Sequence, residues 1–326
     1  MFPYVKKKKY TPITLKEYSL KKNKVLILRK YGGHGDILMQ RMMFEDFHHI
    51  MPEIDLTYAC PKYFLPLMQN HPYVKAIALE EVKEKDYGII YDISTACKIH
   101  ESKMMMKNNL NRSDIWAKHC GINLKNHNGF LNVDEETKEF YKKSLYQINK
   151  NKNKMVLLCV QSTDCNFGKA KSLTEQQVYD LVLELRRNNY FVFTIHNRKH
   201  VIFDMLEVPQ FINIEIDSWM GLVSATDYVI SIDTGTFHMS GLLKKPLVGI
   251  FSFTDGKLYG KYYNFVLIQK HHENGDWDCG PCYVCFCCPK SKESVKPCMT
   301  ELTTEMIMNG FQKLLAQEKQ PLLQLL

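Results

Sequence analysis

Short apolar runs and amphipathic stretches alternate along almost the whole chain. Runs at residues 25–28, 87–93, 155–160, 190–195, 228–232, 247–251 and 265–269 are rich in Val, Ile, Leu and Phe and lack polar alternation. That is the pattern of parallel strands buried on both faces. Residues 52–59 read as a further strand, and 76–79 as an edge strand. Helical periodicity occupies residues 37–50, 112–121, 173–188, 219–226 and 300–317, with shorter helices at 61–69 and 237–243. Gly121 stands where a helix should stop, and Pro246 breaks the chain between a helix and a strand. Repeated strand–turn–helix order predicts an α/β protein of two facing, doubly wound Rossmann-like domains with a cleft between them.

Two passages interrupt that rhythm. Residues 1–22 are Lys-rich and without periodicity, a basic N-terminal arm. Residues 134–154 are dense in charge, and they predict a hinge-like linker or a solvated surface helix. The expected organisation is an arm at 1–22, an N-terminal Rossmann-like domain at 23–150 and a C-terminal one at 151–326. The final helix is expected to dock across the hinge.

A chain of 326 residues with 45% hydrophobic residues accommodates two such domains. No run approaches the ~18 apolar residues of a membrane span, and the charged N-terminus has no apolar segment behind it. The expectation is a cytoplasmic protein. The net charge of +8 favours anionic partners, although a Lys-rich balance also follows from AT-rich coding. With 37 Lys and six Arg, the chain is poorly supplied with the guanidinium forks that read bases.

Chemistry concentrates in two strand-to-helix turns. After the first strand come Gly32, Gly33, Gly35 and Asp36. Leu38 stands where a dinucleotide fingerprint needs its third glycine, which disfavours a nicotinamide enzyme. The glycines permit close backbone approach to a ligand, and Asp36 is either a helix cap or a reactive carboxylate. After the strand at 228–232 come Asp233, Thr234, Gly235 and Thr236, with His238 one turn on. Backbone N–H groups at such a helix start suit a phosphate. A lone Asp-Thr-Gly would suggest an aspartyl protease, but that reading needs a second copy and the sequence has one.

The order Asp233-Thr-Gly-x-x-His238, Lys245-Pro246, strand, Thr254-Asp255 and Tyr259-Gly260 resembles the nucleotide-sugar half-site of family 9 glycosyltransferases, the bacterial heptosyltransferase family. The Gly35-Asp36 turn and the passage Asn70-His71-Pro72-Tyr73-Val74 are also similar. The resemblance covers about residues 24–315 and implies the GT-B fold. It implies an inverting glycosyltransferase with Asp36 as catalytic base and no cofactor in catalysis. The donor is then a nucleotide sugar, held by Thr163, Lys171 (or Lys169) and the turn Asp233 to Thr236; His238 either touches the phosphate or packs inside its helix. The acceptor is a glycan or lipid-linked saccharide. DNA carrying hydroxylated bases is the alternative acceptor, and a non-catalytic nucleotide-sugar binder or metal-stabilised scaffold is a third reading.

Six of the eleven Cys crowd into one segment: Cys279, Cys282, Cys285, Cys287, Cys288 and Cys298. In a chain without an export signal, crowding favours a metal site over disulfides. The run is one residue short of a ferredoxin pattern, so structural zinc is the expected metal, with reduced thiols as the alternative.

Overall fold

The apolar run after Asn23 forms strand β1 (Lys24–Leu28), buried from Val25 onward. The chain follows with helix α1 (His34–Gln40), a 3₁₀ turn (Arg41–Met43) and α2 (Phe44–Ile50). The single helix predicted over 37–50 is therefore one path with a tighter turn in its middle. That turn aims the buried Arg41 guanidinium at the carbonyls of Gly129, Leu67 and Phe130, 2.6–2.7 Å away. Strands β2 (Asp55–Cys60), β3 (Lys75–Ala78) and β4 (Ile89–Asp92) complete a four-stranded parallel sheet of order β3-β2-β1-β4, with β3 at its edge as predicted. A 3₁₀ segment (Lys62–Leu67) replaces the short helix expected at 61–69. Helices α3 (Ala96–Met104) and α4 (Arg112–His119) follow, and Gly121 takes φ +78° beyond α4.

The computed structural model describes residues 23–104, 107–162, 166–270 and 296–323, with 288 and 291–293 between them. The expected arm at 1–22 lies outside these residues.

Of the two readings of the charged stretch, linker or surface helix, residues 135–148 take the second as α5 (Glu135–Ile148), capped by Asp134 through the Thr137 N–H at 2.7 Å. Its charges face water while Leu145 is fully buried. Tyr141 fills the space left by Gly221 and donates to Ser218 Oγ at 2.9 Å, docking α5 on the second half of the chain. A helix with one apolar stripe and a solvated linker share the same charge density, so composition did not separate them.

The second half runs β5 (Met155–Cys159), α6 (Asn166–Lys169), α7 (Glu175–Arg187), β6 (Phe191–His196), α8 (Val201–Met205), β7 (Gln210–Ile212), α9 (Ile216–Ala225), β8 (Tyr228–Ile232), α10 (Gly235–Leu242), β9 (Leu247–Ile250), α11 (Gly256–Tyr259) and β10 (Val266–Ile268). Its six strands are all parallel in the order β10-β9-β8-β5-β6-β7. A short α12 (Pro297–Thr300) leads into α13 (Thr304–Leu323). Ile307, Phe311 and Leu314 of α13 are buried against Val266, Ile268 and Ile230, and the Phe311 ring meets Tyr190 and Tyr228 edge-on. The final helix thus docks on the second sheet rather than across the hinge, because its apolar stripe finds its partner there.

Both sheets contain a switch point where successive strands depart to opposite sides, between β1 and β4 and between β5 and β8. Crevices form there, off the strand carboxyl ends. A single apolar cluster runs from Phe44 and Trp116 of the first half to Leu222 and Phe237 of the second, so the crevices face one another over a packed contact.

Candidate active site

Asp36 stands at the third position of α1, where the chain leaving β1 has turned over Gly32 and Gly33. Gly32 has φ +146°, and a Cβ there would lie 2.5 Å from Arg29 Nη2. The Asp36 carboxylate accepts from Arg29 Nη2 at 2.8 Å, from Arg112 Nη1 at 2.7 Å and from the Gly33 N–H at 3.3 Å. Burial alone would raise its pKa, but the guanidiniums of Arg112 and Arg29 and the Gly33 N–H outweigh it and hold the carboxyl below its ordinary value. Asp36 is ionised at neutral pH, with 18% of its side chain exposed.

Two cavities meet at this carboxylate. One, of about 450 Å³, lies between the halves, and the turns after β1, β5, β6 and β8 line it. The other, of about 440 Å³, occupies the switch point of the first sheet and is lined by Arg29, Ser94, Lys98, Glu101 and Ser102 among others. Asp36 and Arg112 belong to both walls.

On the far side of the larger cavity, Thr234 is the N-cap of α10 but makes no side-chain cap bond. The Asp233 carboxylate does not cap the helix either. It accepts from Lys171 Nζ at 2.6 Å and from Thr254 Oγ1 at 3.0 Å, and His238 Nε2 stands 3.8 Å away. Burial works against this anion, yet the Lys171 ammonium and His238 hold it far below the usual carboxylate range. Lys171 therefore lines the cavity while its charge is matched by Asp233. Lys169 is exposed.

Glycines at the two helix starts serve the contact between the halves. A Cβ on Gly35 would lie 2.6 Å from His238 Cδ2, and one on Gly235 would lie 2.9 Å from His34 Cβ and 2.8 Å from Trp219. Gly33 and Gly35 of the first glycine loop both line the larger cavity; Gly35 also admits α10, while Gly33 has open space beside it. His238 is 4% exposed and its Nδ1 is 3.2 Å from Tyr263 Oη, so it packs within the fold while still reaching the cavity wall.

Thr163 lies outside the described residues, as do Cys279, Cys282, Cys285 and Cys287. Cys288 and Cys298 are described and partly buried. Among the described residues, no group of three or more His, Cys, Asp or Glu is arranged to hold a metal ion.

Sequence reasoning gave no role to Arg29, Arg112, Glu101, His34, Trp219 and His196, and noted Tyr259 only within the Tyr259-Gly260 pattern. Arg scarcity was a usable signal: of six Arg, the structure buries Arg29 and Arg41 and commits Arg112 to two carboxylates. Burial lowers the pKa of His34, and burial beside His200 lowers that of His196 to about 3. Both rings enter the cavity as neutral donors or acceptors.

No protein-family model matches the sequence, and no curated protein matches it. Solved structures do. ADP-heptose lps heptosyltransferase II of E. coli is 15% identical with a TM-score of 0.61, over 91% of this chain and 99% of that one. A family 9 glycosyl transferase from Veillonella parvula is 10% identical with a TM-score of 0.64, over 90% and 97%. TibC of enterotoxigenic E. coli, an iron-containing dodecameric glycosyltransferase, is 13% identical with a TM-score of 0.65, over 91% and 77%. No helix among the described residues is long and apolar enough to cross a membrane. With two parallel α/β sheets facing across a cleft, the chain has the GT-B fold and is similar in structure to these glycosyltransferases, one of them of family 9.

Proposed function

We propose that the protein is an inverting glycosyltransferase that moves a sugar from a nucleotide-sugar donor to a hydroxyl of a glycan or lipid-linked saccharide. The observation that carries this reading is the placement of the Asp36 carboxylate in the common wall of two cavities. The larger cavity takes the donor, with its diphosphate at the uncapped start of α10. The smaller cavity takes the acceptor hydroxyl. Among the structural neighbours, heptosyltransferase WaaC of E. coli holds ADP and TibC holds an ADP-heptose, which supports a nucleotide in the larger cavity.

The chemistry is one displacement. The acceptor oxygen forms a bond to the anomeric carbon on the face opposite the diphosphate, whose bond to that carbon breaks. Asp36 takes the hydroxyl proton. A carboxylate held this acidic is a weak base, so the proton transfers late, once the new C–O bond has made the hydroxyl acidic. The leaving diphosphate keeps the electron pair, and its charge meets the α10 N–H groups and the Lys171–Asp233 edge of the cavity. Charge stabilisation of this kind can serve in place of a divalent ion, and catalysis is proposed to need no metal.

The cysteine segment 279–298 is assigned a structural metal, zinc, on its sequence alone and outside the chemistry. The test of function is a panel of ADP-, GDP-, UDP- and dTDP-sugars incubated with saccharide acceptors or with hydroxymethylated DNA. Release of nucleoside diphosphate with glycosylation of a saccharide is expected. Transfer to DNA alone would replace the acceptor, and binding of nucleotide sugar with no release would leave a binding protein.

A further inference from the structure

We propose that Tyr259, in the second half of the chain, is a positioning residue for the Asp36 base in the first half, acting through Glu101 and Arg112. The inference rests on the reading of Asp36 as the base. Arg112 presents Nε and Nη2 to the two Glu101 oxygens at 2.7 and 2.8 Å, which leaves Nη1 for Asp36 at 2.7 Å. A guanidinium is a rigid plane, so wherever Glu101 sits fixes the direction of the N–H that reaches Asp36. The Tyr259 hydroxyl donates to Glu101 Oε1 at 2.9 Å, and its ring lies 5.1 Å from the Arg112 guanidinium carbon.

Tyr259 is itself held in place. It ends α11, which Asp255 caps through the Leu258 N–H at 3.1 Å. The Asn111 amide of the first half donates to the Leu258 and Tyr259 carbonyls at 2.7 and 3.1 Å. Just before α11, Thr254 holds the Asp233 carboxylate of the donor turn. A short path thus joins that turn to the base: Asp233, Thr254, α11, Glu101, Arg112, Asp36. Three of its members belong to the second half and three to the first, so a shift between the halves is delivered to the base as a change in the Arg112 contact.

The charged groups around Asp36 are Arg29, Arg112 and, through Arg112, Glu101. Tyr58 and Cys97, also near it, are kept neutral by burial. Signs follow from this arrangement. Tyr259→Phe keeps the ring but removes a donor from Glu101, which then draws Arg112 away from Asp36 and raises its pKa. Glu101→Gln removes the competing anion, gives Arg112 to Asp36 and lowers its pKa. A residue that only braces the fold would shift both variants in the same direction or neither.

The test is ¹³C-carboxyl NMR of aspartate-labelled protein from pH 7 down to the onset of acid unfolding, with Asp36 assigned by Asp36→Asn. Protonation of Asp36 should begin at higher pH in Tyr259→Phe than in wild type, and at lower pH in Glu101→Gln. In transfer assays, Tyr259→Phe should lose kcat roughly tenfold while the donor KM changes by less than about twofold. Coincident titration curves, or shifts of the same sign in both variants, overturn the inference without reference to turnover. Opposed shifts in a protein that transfers no sugar would overturn the transferase reading and leave the link from Tyr259 to Asp36 standing.

Discussion

Gly35 of α1 and His238 of α10 meet where the two halves touch, so closely that a Cβ on Gly35 would lie 2.6 Å from the His238 ring. The ring cannot swing away cheaply, because it is buried and lies within reach of Tyr263 and Asp233. One missing methyl group therefore sets how near the Asp36 turn comes to the Asp233 turn.

Gly35→Ala should force the two helix starts apart. Overpacking of this kind costs about 1–3 kcal/mol, and the site should lose more than the fold. Thermal unfolding should show a modest drop in Tm, with donor turnover falling by roughly tenfold or more. Gly33→Ala, at a position with open space beside it, is the control and should be milder on both counts.

Asp36→Asn keeps the shape of the side chain and removes its capacity to accept a proton. Turnover should fall by roughly 10²–10⁴-fold while nucleoside diphosphate still binds. The folded-state pKa of Asp36 is depressed, so the base stays ionised down to a lower pH than a free carboxylate. The acid limb of kcat/KM should accordingly lie below ~4, where an ordinary Asp titrates. A limb well above that would give the proton to another group.

Lys171→Ala leaves the Asp233 carboxylate buried without its main partner. The cost should be about 3–5 kcal/mol at neutral pH, with weakened nucleoside diphosphate binding that is less salt-sensitive than in wild type. The pH dependence has a definite sign. Asp233 has a depressed folded pKa, so its contribution is present above the unfolded value of ~3.9 and is lost as pH falls toward the folded one. Denaturant unfolding of wild type and variant should converge in acid. Adding Asp233→Asn to Lys171→Ala should restore part of the stability, and calorimetry with ADP then isolates what the Lys gave to binding.

Protein purified with metals available should carry about one equivalent of zinc if at least four of Cys279, Cys282, Cys285, Cys287, Cys288 and Cys298 hold it. Chelation should then unfold the segment locally and reduce catalysis only indirectly. Elemental analysis must include iron, because the Cys run is one residue short of a ferredoxin pattern. Finding neither metal would return these residues to reduced thiols.

The sequence by itself determined the alternation of buried parallel strands and helices, the two turns bearing Asp36 and Asp233, and the GT-B expectation that their resemblance carried. These features are set within a few residues: an uninterrupted apolar run specifies a strand buried on both faces, and the Gly- and Thr-bearing turns stand directly after two such runs, β1 and β8. Tertiary structure alone decided what those carboxylates meet. Arg112 is 76 residues from Asp36, and Tyr259 is 158 residues from Glu101. No local pattern records either contact. The same holds for Gly35, which meets a ring in the other half, and for α5, whose charges suited a linker and a surface helix alike until Leu145 and Tyr141 found α9. Backbone periodicity is a short-range property of the chain, whereas the pKa of a buried carboxylate is set by every charge within several ångströms, whatever its position in sequence.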